Sequence, residues 1–179
     1  GDECPIGHYC EAGSATATPC PAGTFSGSLG NVALADCVDC TAGRYCEGTG
    51  LSAPTGQCEA GYHCAGGQAV AAPPGSICDP GYHCAVGSAI QTRCAAGRYQ
   101  PSAGSETCLA CPEGRYVDVL GSDALADCIA CVVGKYVATA GSAAADDCIS
   151  CPAGKYLDVV GSDALDDCIA CAAGKYVDT

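Results

Sequence analysis

The sequence has no methionine, no tryptophan, one phenylalanine and three histidines in 179 residues. Leu, Ile, Val and Phe together number 27, against 32 Ala, so bulky apolar side chains make up about 15% of the chain. That supply is too small for a conventional layered core, and a chain this poor in large side chains at net charge -13 would ordinarily not offset its conformational entropy. Basic residues are scarce as well, seven against twenty acidic, which argues against nucleic acid or anionic membrane surfaces as partners. No apolar run is long enough to span a bilayer, so no membrane-spanning helix is expected, and no signal peptide stands at Gly1. The only asparagine, Asn31, lies in Asn-Val-Ala, which is no N-glycosylation acceptor. No histidine follows His83, and G-x-S-x-G, phosphate-loop and zincin patterns are all missing, so an enzyme is not expected.

Cysteine is what the chain has in abundance: 19 residues, about 11%. That density belongs to disulfide scaffolds built in oxidising compartments, and the expected location is extracellular, secreted or at the cell surface. A bridge closing a loop of about 16 residues contributes roughly 3 kcal/mol. Sulfur cross-links are thus the expected substitute for a core.

Their spacing is periodic. From Cys108 onward the cysteines fall in C-x-x-C pairs every 20 residues, and residues 108–127 match 148–167 at 13 of 20 positions. The same repeat extends to the amino-terminal half at variable spacing: Cys, two residues, Gly, then one aromatic. Ten such openings stand at Cys4, Cys20, Cys40, Cys58, Cys78, Cys94, Cys111, Cys131, Cys151 and Cys171, and between them they take every aromatic residue in the chain. A long form closes well past the aromatic, as from Cys111 to Cys128 or, with a somewhat tighter loop, from Cys94 to Cys108, while a short form, as in CTAGRYC, closes just after it. Three segments follow: residues 1–39 with amino-terminal repeats, 40–107 dominated by short-form repeats, and 108–179 with regular 20-residue repeats.

Local structure is expected to be slight. Gly after the opening cysteine suggests a tight turn and the K-Y-V or R-Y-V triplet a short strand, giving two-stranded hairpins. GSDALADC and GSDALDDC read as single helical turns with Ser122 and Ser162 as N-caps and Asp123 and Asp163 at the positive helix end. The fold class is therefore small disulfide-rich repeats: an elongated tandem array of short hairpins and irregular loops, with no single large core, each repeat touching mainly its neighbours.

A C-x-x-C pair has three readings. A redox centre needs a lowered thiol pKa inside a globular fold, which an acidic, core-poor chain does not provide. A zinc clamp fits the spacing of Cys108, Cys111, Cys128 and Cys131, but four thiolates add negative charge to an already acidic chain, and the short-form repeats lack the motif. The third reading makes each C-x-x-C a joint that ends one loop and begins the next, with Ile129, Ile149 and Ile169 packing under a neighbouring tyrosine. It pairs Cys20 with Cys37, Cys94 with Cys108, Cys111 with Cys128, Cys131 with Cys148 and Cys151 with Cys168. Among Cys4, Cys10, Cys40, Cys46, Cys58, Cys64, Cys78 and Cys84 the connectivity stays open, because interlaced pairs such as 40–58 with 46–64 also use every cysteine. Cys171 is left over. At the spacing of the other long loops its expected partner would fall past Thr179, so the sequence reads as a window cut from a longer array.

CPAGTFSGSLGNVALADCVDC and CPEGRYVDVLGSDALADCIAC resemble the ephrin-receptor-like cysteine-rich repeats and, more distantly, the first submodule of tumour necrosis factor receptor cysteine-rich domains. The resemblance implies an extracellular, disulfide-laddered, mostly irregular array. The alanine-rich, near-identical copies are most similar to those of algal and protist extracellular fibril proteins.

Six of the seven basic residues, Arg44, Arg98, Arg115, Lys135, Lys155 and Lys175, immediately precede a tyrosine and read as a solvated strand face, or as a stripe meeting Asp-rich turns. Acidic residues gather at Asp118, Asp123 and Asp127, at Asp146 and Asp147, and at Asp158, Asp163, Asp166 and Asp167. They read as a solvated face, with structural calcium the alternative and no other cofactor expected. His8, His63 and His83 sit beside short-form cysteines in separate repeats and are not expected to converge on a metal. The functional expectation is an extracellular structural protein forming or decorating a surface filament, with other copies of itself as partners and O-linked glycans on loops such as ATATPCPAG, LSAPTG and AVAAPPGS. The alternative is the stalk of an adhesion protein or receptor ectodomain.

Overall fold

A computed structural model describes residues 2–176. Residues 1 and 177–179, which bound the first and third segments expected from the sequence, lie outside the described residues. Among the described residues there is no α-helix, only two-residue strands and four 3-10 turns. Each repeat turns at its opening glycine. In the repeat opening at Cys111, the Arg115 N–H donates to Pro112 O at 3.3 Å across a turn whose third residue, Gly114, has φ +78°. A side chain is disfavoured in that left-handed region, which explains a glycine there.

The turn launches Arg115–Tyr116, which pairs antiparallel with Ile129–Ala130, Tyr116 opposite Ile129. Lys135–Tyr136 pairs with Ile149–Ser150 and Lys155–Tyr156 with Ile169–Ala170 in the same register. The amino-terminal repeats use the same device, His8–Tyr9 with Thr18–Pro19, Thr24–Phe25 with Val38–Asp39 and Arg44–Tyr45 with Gly56–Gln57.

Contacts divide the chain into two compact units. The first comprises Gly1–Asp79, His83–Thr92 and Ala103–Glu106, and the second Pro80–Tyr82, Arg93–Ser102 and Thr107–Thr179. In both, what is buried is sulfur: of the buried apolar residues, sixteen are cysteines and the others are Val117, Val137 and Leu157. The fold is a small disulfide-rich one with short hairpins, little regular secondary structure and no large core.

The 3-10 turns correct one expectation from the sequence. Leu125–Asp127 has Ala124, not Ser122, at its N-cap, and the capping group is the Asp127 carboxylate, whose Oδ2 accepts the N–H groups of Asp123 at 3.2 Å and Ala124 at 3.1 Å. Asp36, Asp147 and Asp167 make the same pair of bonds. Ser122 and Ser162 instead turn inward and are buried, and Asp123 and Asp163 supply only their backbone N–H to the cap. A three-residue turn leaves its first N–H groups facing back along the chain, where a carboxylate at its far end reaches them. Asp127→Ala is therefore expected to cost about 1 kcal/mol, and Ser122→Ala much less, checked by denaturant midpoints.

Candidate functional site

With the openings placed by their turns, what recurs is the joint between one repeat and the next. Four backbone hydrogen bonds make it. Where the repeat opening at Cys94 meets that opening at Cys111, Gly97 N donates to Val117 O at 2.7 Å and Gln100 N to Ser122 O at 3.0 Å. Cys111 N donates back to Gly97 O, and Gly121 N to Cys94 O, both at 2.8 Å. The next junction uses the equivalent residues: Gly114 N to Val137 O, Val117 N to Ser142 O, Cys131 N to Gly114 O and Gly141 N to Cys111 O. The first junction of the chain, between a short and a long repeat, uses them again: Gly7 N to Ser26 O, Cys10 N to Asn31 O, Cys20 N to Gly7 O and Gly30 N to Cys4 O. Backbone atoms carry the joint, so loop length and side-chain identity can vary around it.

Each of several opening glycines also meets a second glycine two repeats further on. A Cβ built on Gly114 would overlap the carbonyl oxygen of Gly161, and one on Gly97 that of Gly141. The approach recurs for Gly81 on Gly121 in the second compact unit, and for Gly7 on Gly50, Gly23 on Gly67, Gly43 on Gly87 and Gly61 on Gly104 in the first. The sequence suggested contact mainly with neighbouring repeats; the structure adds this approach to the second repeat along. Glycine here is needed for both its φ and its missing side chain.

The nine disulfides run Cys4–Cys10, Cys20–Cys37, Cys40–Cys46, Cys58–Cys64, Cys78–Cys84, Cys94–Cys108, Cys111–Cys128, Cys131–Cys148 and Cys151–Cys168, and Cys171 is free. The short repeats close locally, without interlacing. Cys108, Cys111, Cys128 and Cys131 are thereby shared among three bridges, so no four-thiolate set is present. The tyrosines sit differently from the sequence reading. Tyr99 packs on the cluster of Cys111, Val117 and Cys128, and Tyr116 on that of Cys131, Val137 and Cys148, so each ring lies on the disulfide of the next repeat. Ile129 stands opposite Tyr116 in its own hairpin and remains about half exposed.

The basic side chains do something local. The guanidiniums of Arg98 and Arg115 donate at 2.9 Å to the carbonyls of Cys108 and Cys128, the closing cysteines of their own repeats. Arg93, the one basic residue outside the pattern, lies over the Tyr82 ring at 5.9 Å and donates to its hydroxyl. His8 and His83 bond through Nδ1 with the carbonyls of Ile6 and Glu106. His63 is nearer to a ligand set, its ring grouped with the sulfurs of Cys78 and Cys84 within 4.8 Å. Those sulfurs are bonded to each other, however, and a disulfide does not offer the thiolates that a metal takes. The Asp residues of the turns form no such convergent group among the described residues.

What the arrangement does is mechanical: it fixes neighbouring repeats in register through backbone N–H and C=O groups, which every residue but proline possesses. Two tandem stretches, residues 81–128 and 121–168, match the family model described as tyrosine-protein kinase ephrin type A/B receptor-like. No curated protein matches the chain at significant similarity.

Proposed function

The chain carries ephrin-receptor-like cysteine-rich repeats, a non-catalytic module type of extracellular receptor ectodomains, and from that premise we propose that it is a structural spacer that forms or decorates an extracellular filament. The observation that carries the reading is the backbone joint. It is repeated with the same atoms whatever the length of the intervening loop, so a repeat can be added without redesigning its neighbour. Disulfides within each repeat and hydrogen bonds between repeats divide the work: the first keep a repeat closed, the second keep it in register. The loops at residues 15–23, 51–56 and 69–76 are where O-linked glycans would sit.

A second reading, the stalk of a receptor or adhesion protein, is favoured by the family match itself. Electron microscopy of the native material separates them. Linear assemblies with a regular axial repeat are expected, and single particles in which the repeats end on a distinct folded head would replace the filament by the stalk.

A further inference from the structure

Two surface grooves in the second compact unit have the same construction, two repeats apart. One, of about 500 Å³, is formed within residues 117–129, and the other, of about 410 Å³, within residues 157–169. Val119, Leu120 and Ile129 wall the first, with Val159, Val160 and Ile169 in the equivalent places of the second, and all six are exposed. Leu120 and Val160 are the most open, at 63% and 65%. Carboxylates share each groove, Asp118 and Asp123 in one, Asp158 and Asp163 in the other, and no basic side chain lines either. Asp127 and Asp167 also line them but are committed to the turn caps.

The repeat between them serves as an internal comparison. It has Ala138, Thr139, Ala140 and Ala143 where its neighbours have Asp, an aliphatic pair and Asp, so it keeps only Ile149 of the apolar wall and loses both carboxylates. Its Ser142 Oγ donates to Thr139 O at 2.8 Å. The equivalent Ser122 and Ser162, each lining its groove, are 5% and 6% exposed and their Oγ atoms have no hydrogen-bond partner. A buried hydroxyl without a partner costs stability. These hydroxyls are enclosed, so they offer an occupant no contact; they mark only how the two groove-bearing repeats differ from the one between.

We propose that the two grooves are a paired docking site for a cationic, aliphatic segment of a partner protein. Aliphatic walls call for apolar side chains or the methylene stems of lysine and arginine, and the Asp pairs call for their charged ends. A single ion fits less well, because these carboxylates do not converge among the described residues. As the occupant of these grooves a second copy of this chain is disfavoured, because its seven basic residues stand singly along the sequence and offer no cationic segment. Two like sites in one compact unit would let a partner with two such segments gain avidity.

The test uses the intact oxidised chain and an acetylated peptide alternating Lys and Leu, with a peptide alternating Lys and Gly of equal charge as control, titrated by calorimetry at low and high salt. The Lys-Leu peptide is expected to bind at least about tenfold more tightly. Leu120→Asn with Val160→Asn should abolish that difference while leaving Lys-Gly binding unchanged, and Asp118→Asn with Asp158→Asn should weaken both peptides and flatten the salt dependence. Equal binding of the two peptides, insensitive to the wall substitutions, would reduce the grooves to a solvated acidic face and overturn the proposal. So would calcium competing stoichiometrically with the peptide, or concentration-dependent self-association lost in the wall variants. An unchanged non-reducing peptide map establishes that each variant keeps its disulfides.

Discussion

Gly61→Ala is expected to destabilise the first compact unit far more than Gly75→Ala, although both glycines hold the same left-handed conformation. Their backbones are almost identical, with φ +83° and +85°. Placing alanine in the left-handed region costs about 1–2 kcal/mol at either site. The surroundings differ. A Cβ on Gly61 overlaps the Gly104 carbonyl oxygen, whereas nothing lies within 4 Å of one on Gly75. Relieving the overlap means moving backbone, and the bonds at stake include Gly104 N to Cys78 O and Gly61 N to Cys84 O. Forced overpacking adds typically about 1–3 kcal/mol, so Gly75→Ala should lose about 1–2 kcal/mol and Gly61→Ala about 2–5 kcal/mol. Denaturant melts followed by tyrosine fluorescence read the difference. Equal losses would show that the approach two repeats along contributes nothing.

Removing one bridge should have an effect of similar size that reaches beyond its own loop. Cys111 and Cys128 are 17 positions apart, and opening such a loop costs about 3 kcal/mol in unfolded-state entropy. The sulfurs are also packing atoms, because Tyr99 of the preceding repeat rests on the cluster they form with Val117. Cys111→Ser with Cys128→Ser is therefore expected to raise hydrogen exchange at Tyr99 and Gln100 as well as within 111–128. If exchange rises only inside the opened loop, the repeats are coupled by backbone alone.

How far the sequence reveals this architecture depends on which atoms carry it. The fold class is legible from composition, because a chain with 19 cysteines and few large apolar residues has little else to bury. The opening motif is legible too: Gly114 must allow a positive φ, and Tyr116 must follow it on the strand. The turn cap is misleading because Ser122 looks like a capping residue, and only the geometry of so short a turn shows Asp127 reaching back to residues 123 and 124. Contacts between Gly97 and Gly141, or Gly61 and Gly104, leave no side-chain signature, and glycine at both ends reads first as loop. The grooves are hidden for another reason. Asp118 and Asp123 stand out as charge, Val119 and Leu120 as apolar residues, and nothing in the linear order says that they share one concavity.

The most direct test of the account is non-reducing peptide mapping of the native protein, with its intact mass before and after reduction. Nine bridges joining consecutive cysteines from Cys4–Cys10 to Cys151–Cys168, and a mass gain of two hydrogens for each, are the predicted result. Interlaced bridges between Cys40 and Cys58, or a majority of free thiols in the native protein, would contradict it.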